Sequence, residues 1–177
     1  PLAITYNFMS PKVYESFTEV YTRHLEAELE QITSALPHDQ IAYQWDVCPE
    51  VLMWEGYFEQ PSDYRAQILD SLGSLSRSVP EATTLGYHLC YGSPKDEHMI
   101  QPKDMSLLVE LANGIAGAVK RPLQFIHMPV PHPRSDDAYF KPLTGLKLAA
   151  ETALYLGLVH SGDAAGNAAK LTAARRY

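Results

Sequence analysis

The sequence has few cysteines, no long apolar run and no cluster of basic residues. Only Cys48 and Cys90 are cysteines, which is too few for a disulfide framework and suits a reducing, cytoplasmic compartment. No apolar stretch approaches membrane-spanning length, and the first residues lack the basic leader and apolar region of a signal peptide. The net charge is −7, and no Lys/Arg run reaches motif length, so neither nucleic acid nor a membrane surface is an expected partner.

What is present is the composition of a globular domain. Apolar residues make up 46% of the chain and charged residues 20%, and 177 residues suit one domain with a sizeable core. The chain begins at Pro1 without an initiator methionine, so we expect a piece of a longer protein. Since no repeat, low-complexity tract or linker interrupts the chain, residues 1–177 are predicted to form a single domain.

Apolar stretches alternate with amphipathic helical patterns along the chain. Strands are predicted at about 2–6, 41–46, 83–90, 123–128 and 154–160. Helices are predicted at about 10–36, 63–78, 104–119 and 163–176, with a loop or short helix at 48–56 and a short helix within 135–150. This alternation predicts an α/β fold with a parallel sheet and right-handed crossovers.

Five strands leave two architectures open. They fit a doubly wound open sheet, or five consecutive units of an eight-unit barrel. The Gly-rich phosphate signature of a dinucleotide-binding fold is missing after the first predicted strand, where residues 7–10 are Asn-Phe-Met-Ser. This absence weakens the dinucleotide-binding interpretation.

The predicted strands end in polar side chains. In parallel α/β folds, function gathers at the carboxyl ends of strands, and buried polar groups cost stability unless they are paired. Five polar strand ends together therefore predict a site. The strand-end residues concerned are Asn7, Gln44, Asp46, His88, Cys90, His127 and His160.

His88 and Cys90 are the strongest candidates for metal ligands. Residues i and i+2 of a strand point to the same side, so the pair offers an imidazole and a thiolate to one zinc ion. The alternative is a buried cysteine beside a hydrogen-bonded histidine. His127 is either a third ligand or a structural histidine. Asp46 could bind a substrate ammonium, orient a ligating histidine or cap the next turn.

Other polar residues are weaker candidates. Cys48 is expected in the core or a loop, with a spare thiolate as the alternative. Solvated loop carboxylates are expected at Glu50 and Glu55, and ordinary surface histidines at His24, His38 and His98. The expected substrate contacts are Gln44, Asp46, His132, Arg134, Asp136, Asp137 and His160. For those in the Pro-rich loop, the alternative is ordinary surface charge.

Several segments resemble the C-terminal barrel of cobalamin-independent methionine synthase. Residues 87–91, Tyr-His-Leu-Cys-Tyr, are similar to the His-Met-Cys-Tyr segment that supplies two zinc ligands in that family. Residues 41–46, Ile-Ala-Tyr-Gln-Trp-Asp, are similar to its Ile-Gln-Ile-Asp strand, whose Asp contacts the amino group of homocysteine. Residues 1–6 resemble its Pro-Val-Thr-Ile strand. The segments 85–91 and 126–131 resemble the methionine-synthase-like proteins, which are related to that barrel and to uroporphyrinogen decarboxylase.

The resemblance covers essentially the whole chain and implies a partial (β/α)8 TIM barrel, about strands three to seven. It also implies contact with the remainder of the same barrel or with another protein chain, because an open barrel has unpaired edges. Two departures affect the metal site. His127 stands where the family has a zinc-ligating Glu, and nothing matches its final Asn-Pro-Asp-Cys-Gly segment. The implied zinc ligands are His88, Cys90 and His127, with a set that is incomplete in this chain.

The resemblance further implies a zinc-dependent methyltransferase that activates a thiol or amino-acid-like substrate. Asp46 and His127 are then the expected catalytic residues, and the methyl donor is folate-like. One alternative is a metal-free decarboxylase or lyase of the uroporphyrinogen decarboxylase type. That chemistry needs Arg and Asp around a polycarboxylate, and Arg134 is the one Arg near a predicted strand end. The other alternative is a non-catalytic, ligand-binding barrel.

Overall fold

The structure is a computed structural model that describes residues 2–94 and 97–177. Four strands are described: β1 (Ala42–Val47), β2 (Thr84–Leu89), β3 (Phe125–Pro129) and β4 (Ala153–Gly157). The described helices are α1 (Ala3–Phe8), α2 (Tyr14–Ala35), α3 (Cys48–Trp54), α4 (Tyr64–Arg77), α5 (Ser106–Ala118), α6 (Asp137–Phe140) and α7 (Ala164–Ala174). Short 3-10 helices occupy His38–Gln40 and Lys141–Gly145. No helix within these residues combines the length and the apolarity that crossing a membrane requires.

The first predicted strand is wrong, because residues 3–8 form helix α1. The segment takes its hydrogen bonds from its own turn and from α3 rather than from a neighbouring strand. Met9 N–H donates to Thr5 O (3.0 Å), and the N–H of Ala3 donates to Oε1 of Glu50 (3.0 Å). Thr5 is buried, and its hydroxyl contacts that of Thr18 at 2.7 Å. A short apolar run has no periodicity long enough to separate the two structures.

The remaining predicted strands and the long helices are confirmed, with shifted ends. Helix α2 begins at Tyr14 rather than near Ser10. Strand β4 stops at Gly157 rather than at His160, because the chain turns there and Leu158 N–H donates to Leu156 O.

The four strands are parallel and follow one another in the order β1-β2-β3-β4. The described strands therefore contain no reversal of order, which a doubly wound sheet needs. With right-handed crossovers, a sequential order carries all connecting helices to the same face of the sheet. The strand order thus leaves the second face of the sheet without connecting helices.

The helix-covered face of the sheet forms the core. Leu85, Tyr87 and Leu89 of β2 are completely buried, and the hydroxyl of Tyr87 donates to Leu72 O of α4 at 2.9 Å. Ile126 of β3 joins the same apolar cluster. Each buried side chain of this size contributes roughly 1.5–3 kcal/mol, so this face anchors the strands.

The opposite face is polar and partly open. Gln44 and Asp46 alternate with the inward side chains of β1 and are exposed, and Tyr155 of β4 is 56% exposed. The buried face anchors the strands. The polar side chains of the open face are therefore held in fixed positions at the carboxyl ends of the strands.

Candidate metal centre at the strand ends

A row of polar and aromatic residues crosses the open face of the sheet. The parallel register pairs Asp46 with His88, His88 with His127, and His127 with Tyr155. Cys90 follows His88 by two residues, so its side chain points to the same side of the sheet just beyond the end of β2. The register therefore brings together residues that are up to 109 positions apart in the sequence (155 − 46).

Three of these side chains form a compact set of metal-binding groups. One ligand atom each from Asp46, His88 and Cys90 lies within 4.8 Å of the other two. His88 and Cys90 are partly buried, while Asp46 is more exposed. Carboxylate oxygen, imidazole nitrogen and thiolate sulfur are all groups that bind zinc. The structure thus brings together two of the three predicted ligands, His88 and Cys90, and adds Asp46 to them.

Among the described residues, His127 is not a member of this set and contacts His88 instead. The two Nδ1 atoms lie 2.6 Å apart, and the rings stack with their centroids 4.7 Å apart. At that distance one nitrogen donates a proton and the other accepts it. His127 therefore lies where it can orient the imidazole of His88.

The pKa values of the two histidines are shifted in opposite directions. A hydrogen bond to Cys90 raises the pKa of His88, and the negative charges of Cys90 and Asp46 add to the effect. Burial lowers the pKa of His127, and the nearby charge of His88 lowers it further. In the metal-free protein the shared proton therefore belongs mainly to His88, and His127 is a neutral base.

The neighbours of Cys90 favour its thiolate form. The pKa of Cys90 is lowered, first by a hydrogen bond from the Cys48 thiol and then by His88 and the N–H of Gly92, which lies 3.3 Å from Sγ. The same thiol–thiol contact and burial raise the pKa of Cys48. The thiolate is the form of cysteine that binds metals. Cys90 is thus prepared as a ligand.

The contact between the two cysteines was not expected from the sequence. Cys48 is the first residue of α3 and is partly buried. A signal for the contact was present, because Asp46-x-Cys48 repeats the spacing of His88-x-Cys90 on the paired strand. In-register parallel strands carry equally spaced residues to the same level.

His98 also lies nearer the site than the expected surface position. It is partly buried, and its ring centroid is 5.5 Å from that of Tyr91. Burial lowers the pKa of His98, and the negative charge of Cys90 opposes the shift. The next residue, Met99, is held at the strand end, where its N–H donates to Tyr91 O at 3.1 Å. A non-repetitive loop leaves no sequence pattern for this position.

The two loop carboxylates are not the solvated groups that the sequence predicts. Glu50 belongs to α3 and is only 2% exposed. Glu55 is partly buried and accepts a hydrogen bond from the Tyr91 hydroxyl at 3.4 Å, and burial raises its pKa. Glu50 accepts a hydrogen bond from Ala3 N–H, so both carboxylates have hydrogen-bond donors within the fold.

The predicted substrate contacts divide into two groups. Gln44 shares the open face with Asp46, one row away from it. His132, in the loop after β3, and His160, after β4, lie together, with ring centroids 5.0 Å apart. His160 Nε2 contacts Val130 O at 3.0 Å. Asp46 itself belongs to the metal-binding set, and Gln44 is a predicted substrate contact on the same open face.

Arg134 is engaged by the Pro-rich loop itself. It pairs with Asp136, donates to Pro102 O and lies 4.6 Å from the ring centre of Tyr139. The carboxylate of Asp136 also caps α6 by accepting from Tyr139 N–H. Asp137 pairs with Arg176. These contacts give the charged residues of the loop a structural role.

No protein-family model, curated protein or solved structure matches this chain. The family that the sequence resembles therefore stays a prediction.

Proposed function

We propose that this chain is a zinc-dependent methyltransferase-type domain that activates a thiol substrate. The observation that carries the proposal is the three-residue set of Asp46, His88 and Cys90, whose ligand atoms lie within 4.8 Å of one another. Catalytic zinc sites commonly use three protein ligands and leave one position for a substrate. The set also fits in charge, since a carboxylate and a thiolate together balance a divalent ion.

The ligand set proposed here differs in one member from the set that the resemblance implies. Asp46 takes the third position, and His127 orients His88 through the 2.6 Å contact between their Nδ1 atoms. Partners of this kind fix the ring and the tautomer of a ligating histidine. When bound, zinc would lower the pKa of the substrate thiol.

Burial and the nearby His88 lower the pKa of His127, so His127 stays neutral and its Nδ1 accepts the proton that His88 donates. This contact occupies the acceptor nitrogen of His127, so the proton of the substrate thiol passes to solvent at the open face. The sulfur forms a bond to the methyl carbon while the bond between that carbon and a folate-like donor breaks. The donor leaves with the electron pair of that bond and takes up a proton from solvent. Gln44, on the same open face, offers its amide to the substrate.

For the fold, we propose that the four strands belong to a TIM barrel of the methionine-synthase-like family. The sequential strand order, the polar open face and the sequence resemblance support this proposal. The open face would then be the inner surface of the barrel, completed by the rest of the same barrel or by another chain. The free thiols of Cys48 and Cys90 suit the cytoplasm.

The contacts of Arg134 weigh against the decarboxylase alternative. That chemistry needs a guanidinium available to a polycarboxylate, whereas Arg134 is paired with Asp136 and held over Tyr139. Activity that survives a chelator would favour the alternative.

Metal analysis tests the proposal. The purified protein, stripped with a chelator and supplied with zinc, is expected to hold one zinc ion per chain. His88→Ala and Cys90→Ala should lose the ion. His24→Ala, which changes an exposed histidine of α2, should keep it. A protein that takes up no zinc, or whose zinc survives both substitutions, would overturn the proposal.

A further inference from the structure

An apolar pocket lies beside the metal-binding set. It has a volume of about 440 Å³ and is formed by α1, α2, β1, α3 and the loops next to them. Small-molecule sites typically occupy roughly 300–1,000 Å³ and are mainly apolar with a few polar groups. The apolar walls are built chiefly by Ile4, Phe8, Leu25, Trp45, Leu52 and Phe58.

The pocket and the metal-binding set share a residue. Asp46 lines the pocket, and its carboxylate is also one of the three groups within 4.8 Å of one another. Cys48, whose thiol contacts Cys90, lines the pocket as well. A molecule whose sulfur lies at the set can therefore extend its remaining atoms into the pocket.

The walls of the pocket select for an uncharged group. Among the described residues, no Lys or Arg lines it, and Asp46 is the one carboxylate that does. An anionic group placed there would meet a carboxylate and apolar side chains without a compensating charge, which is unfavourable. Two aromatic rings of the wall, Phe8 and Phe58, pack edge to face with their centroids 6.0 Å apart. Such edges pack well against another ring.

We propose that the thiol substrate carries an uncharged apolar group, of the size of a benzyl group, and that this group occupies the pocket. The proposal rests on the proposed function for the position of the sulfur, and it differs from the amino-acid thiol that the sequence resemblance implies. The apolar walls would accept a ring, whereas the carboxylate of an amino acid would have no cationic partner in the pocket.

Calorimetry on the metal-free protein tests the pocket separately from the zinc. The probes are benzyl methyl sulfide and methionine, two methyl thioethers of which only the second carries charges. Benzyl methyl sulfide is expected to bind at least about tenfold more tightly, since even one methylene in an apolar pocket changes affinity by about that factor or more. Methionine binding as tightly, or neither thioether binding, would overturn the proposal.

Two variants show where the thioether binds. Phe8 is 64% exposed although it lines the pocket, so Phe8→Asp adds a charge to the wall at little risk to folding. It should reduce benzyl methyl sulfide binding at least about tenfold. Val13→Asp is the matched control, because Val13 is 47% exposed and does not line the pocket. Equal effects of both variants would place the binding elsewhere and overturn the proposal.

The two proposals can fail independently. If benzyl methyl sulfide binds as expected but the protein takes up no zinc, the pocket stands and the proposed function fails. If zinc binds through His88 and Cys90 but the thioether does not bind, the metal centre stands and the apolar substrate is refuted.

Discussion

Replacing His127 with alanine removes the ring that stacks on His88 while leaving the three-residue set of Asp46, His88 and Cys90 in place. We expect His127→Ala to weaken zinc binding without abolishing it. His88 would lose the partner that holds its ring, since the two Nδ1 atoms lie 2.6 Å apart.

The size of the effect follows from the kind of contact that is lost. Removing a hydrogen-bond partner of a ligating histidine lowers metal affinity about 10- to 100-fold. At 1.4 kcal/mol per tenfold change, this corresponds to about 1.4–2.8 kcal/mol of binding free energy. His88→Ala removes a ligand nitrogen itself and should cost more than His127→Ala.

Competition between the metal-free protein and a chromogenic zinc chelator measures both affinities, with circular dichroism to verify folding. If His127→Ala loses zinc as completely as His88→Ala, His127 is itself a ligand and the geometric argument is refuted. Unchanged affinity would show that the contact does not support the metal. NMR titration of the metal-free protein gives a second test, because the pKa of His127 should lie below, and that of His88 above, the ordinary histidine value.

Two further predictions concern packing and the thiols. Gly86→Ala should lower the free energy of unfolding by about 1–3 kcal/mol in urea titrations, because the new Cβ would clash with the ring of Phe125. Gly117→Ala in α5, with no atom within 4 Å of its Cβ, should instead raise it by up to about 1 kcal/mol, and equal effects would contradict the described packing. Cys48→Ala should raise the pKa of Cys90 by removing the S–H donor, so alkylation of Cys90 in the metal-free protein should reach its full rate only at higher pH. Cys48→Ser keeps a donor and should stay closer to the wild type, whereas an unchanged profile in Cys48→Ala would refute the role of that hydrogen bond.

The alternation of strands and helices was readable from the sequence because it rests on local periodicity. Helices α4 and α5 repeat their apolar residues over several turns, and β1 and β2 carry alternating or continuous apolar runs. The structure of residues 3–8 was predicted wrongly because the periodicity of six residues is too short to distinguish a strand from a helix. Contacts with Glu50 and Thr18, distant in sequence, accompany the helical form.

The metal-binding set was readable in part. His88 and Cys90 share one side of a strand by spacing alone, and Asp46 was expected at a neighbouring strand end. His127 was also expected at a strand end. It contacts His88 and is not a member of the three-residue set, and this difference depends on side-chain positions across two strands. His98 lies beside the strand end, where Met99 N–H donates to Tyr91 O, and the sequence carries no regular pattern that predicts this position.

The sequence by itself determined an α/β chain whose strands end in polar residues, because side-chain direction repeats with a fixed period in strands and helices. Only the tertiary structure decided which of those residues meet. The parallel register placed Asp46, His88 and His127 side by side, and the packing of α3 against the end of β2 brought the Cys48 thiol to Cys90. These contacts join residues that are dozens of positions apart, and their distances depend on how whole elements pack, which no local pattern encodes.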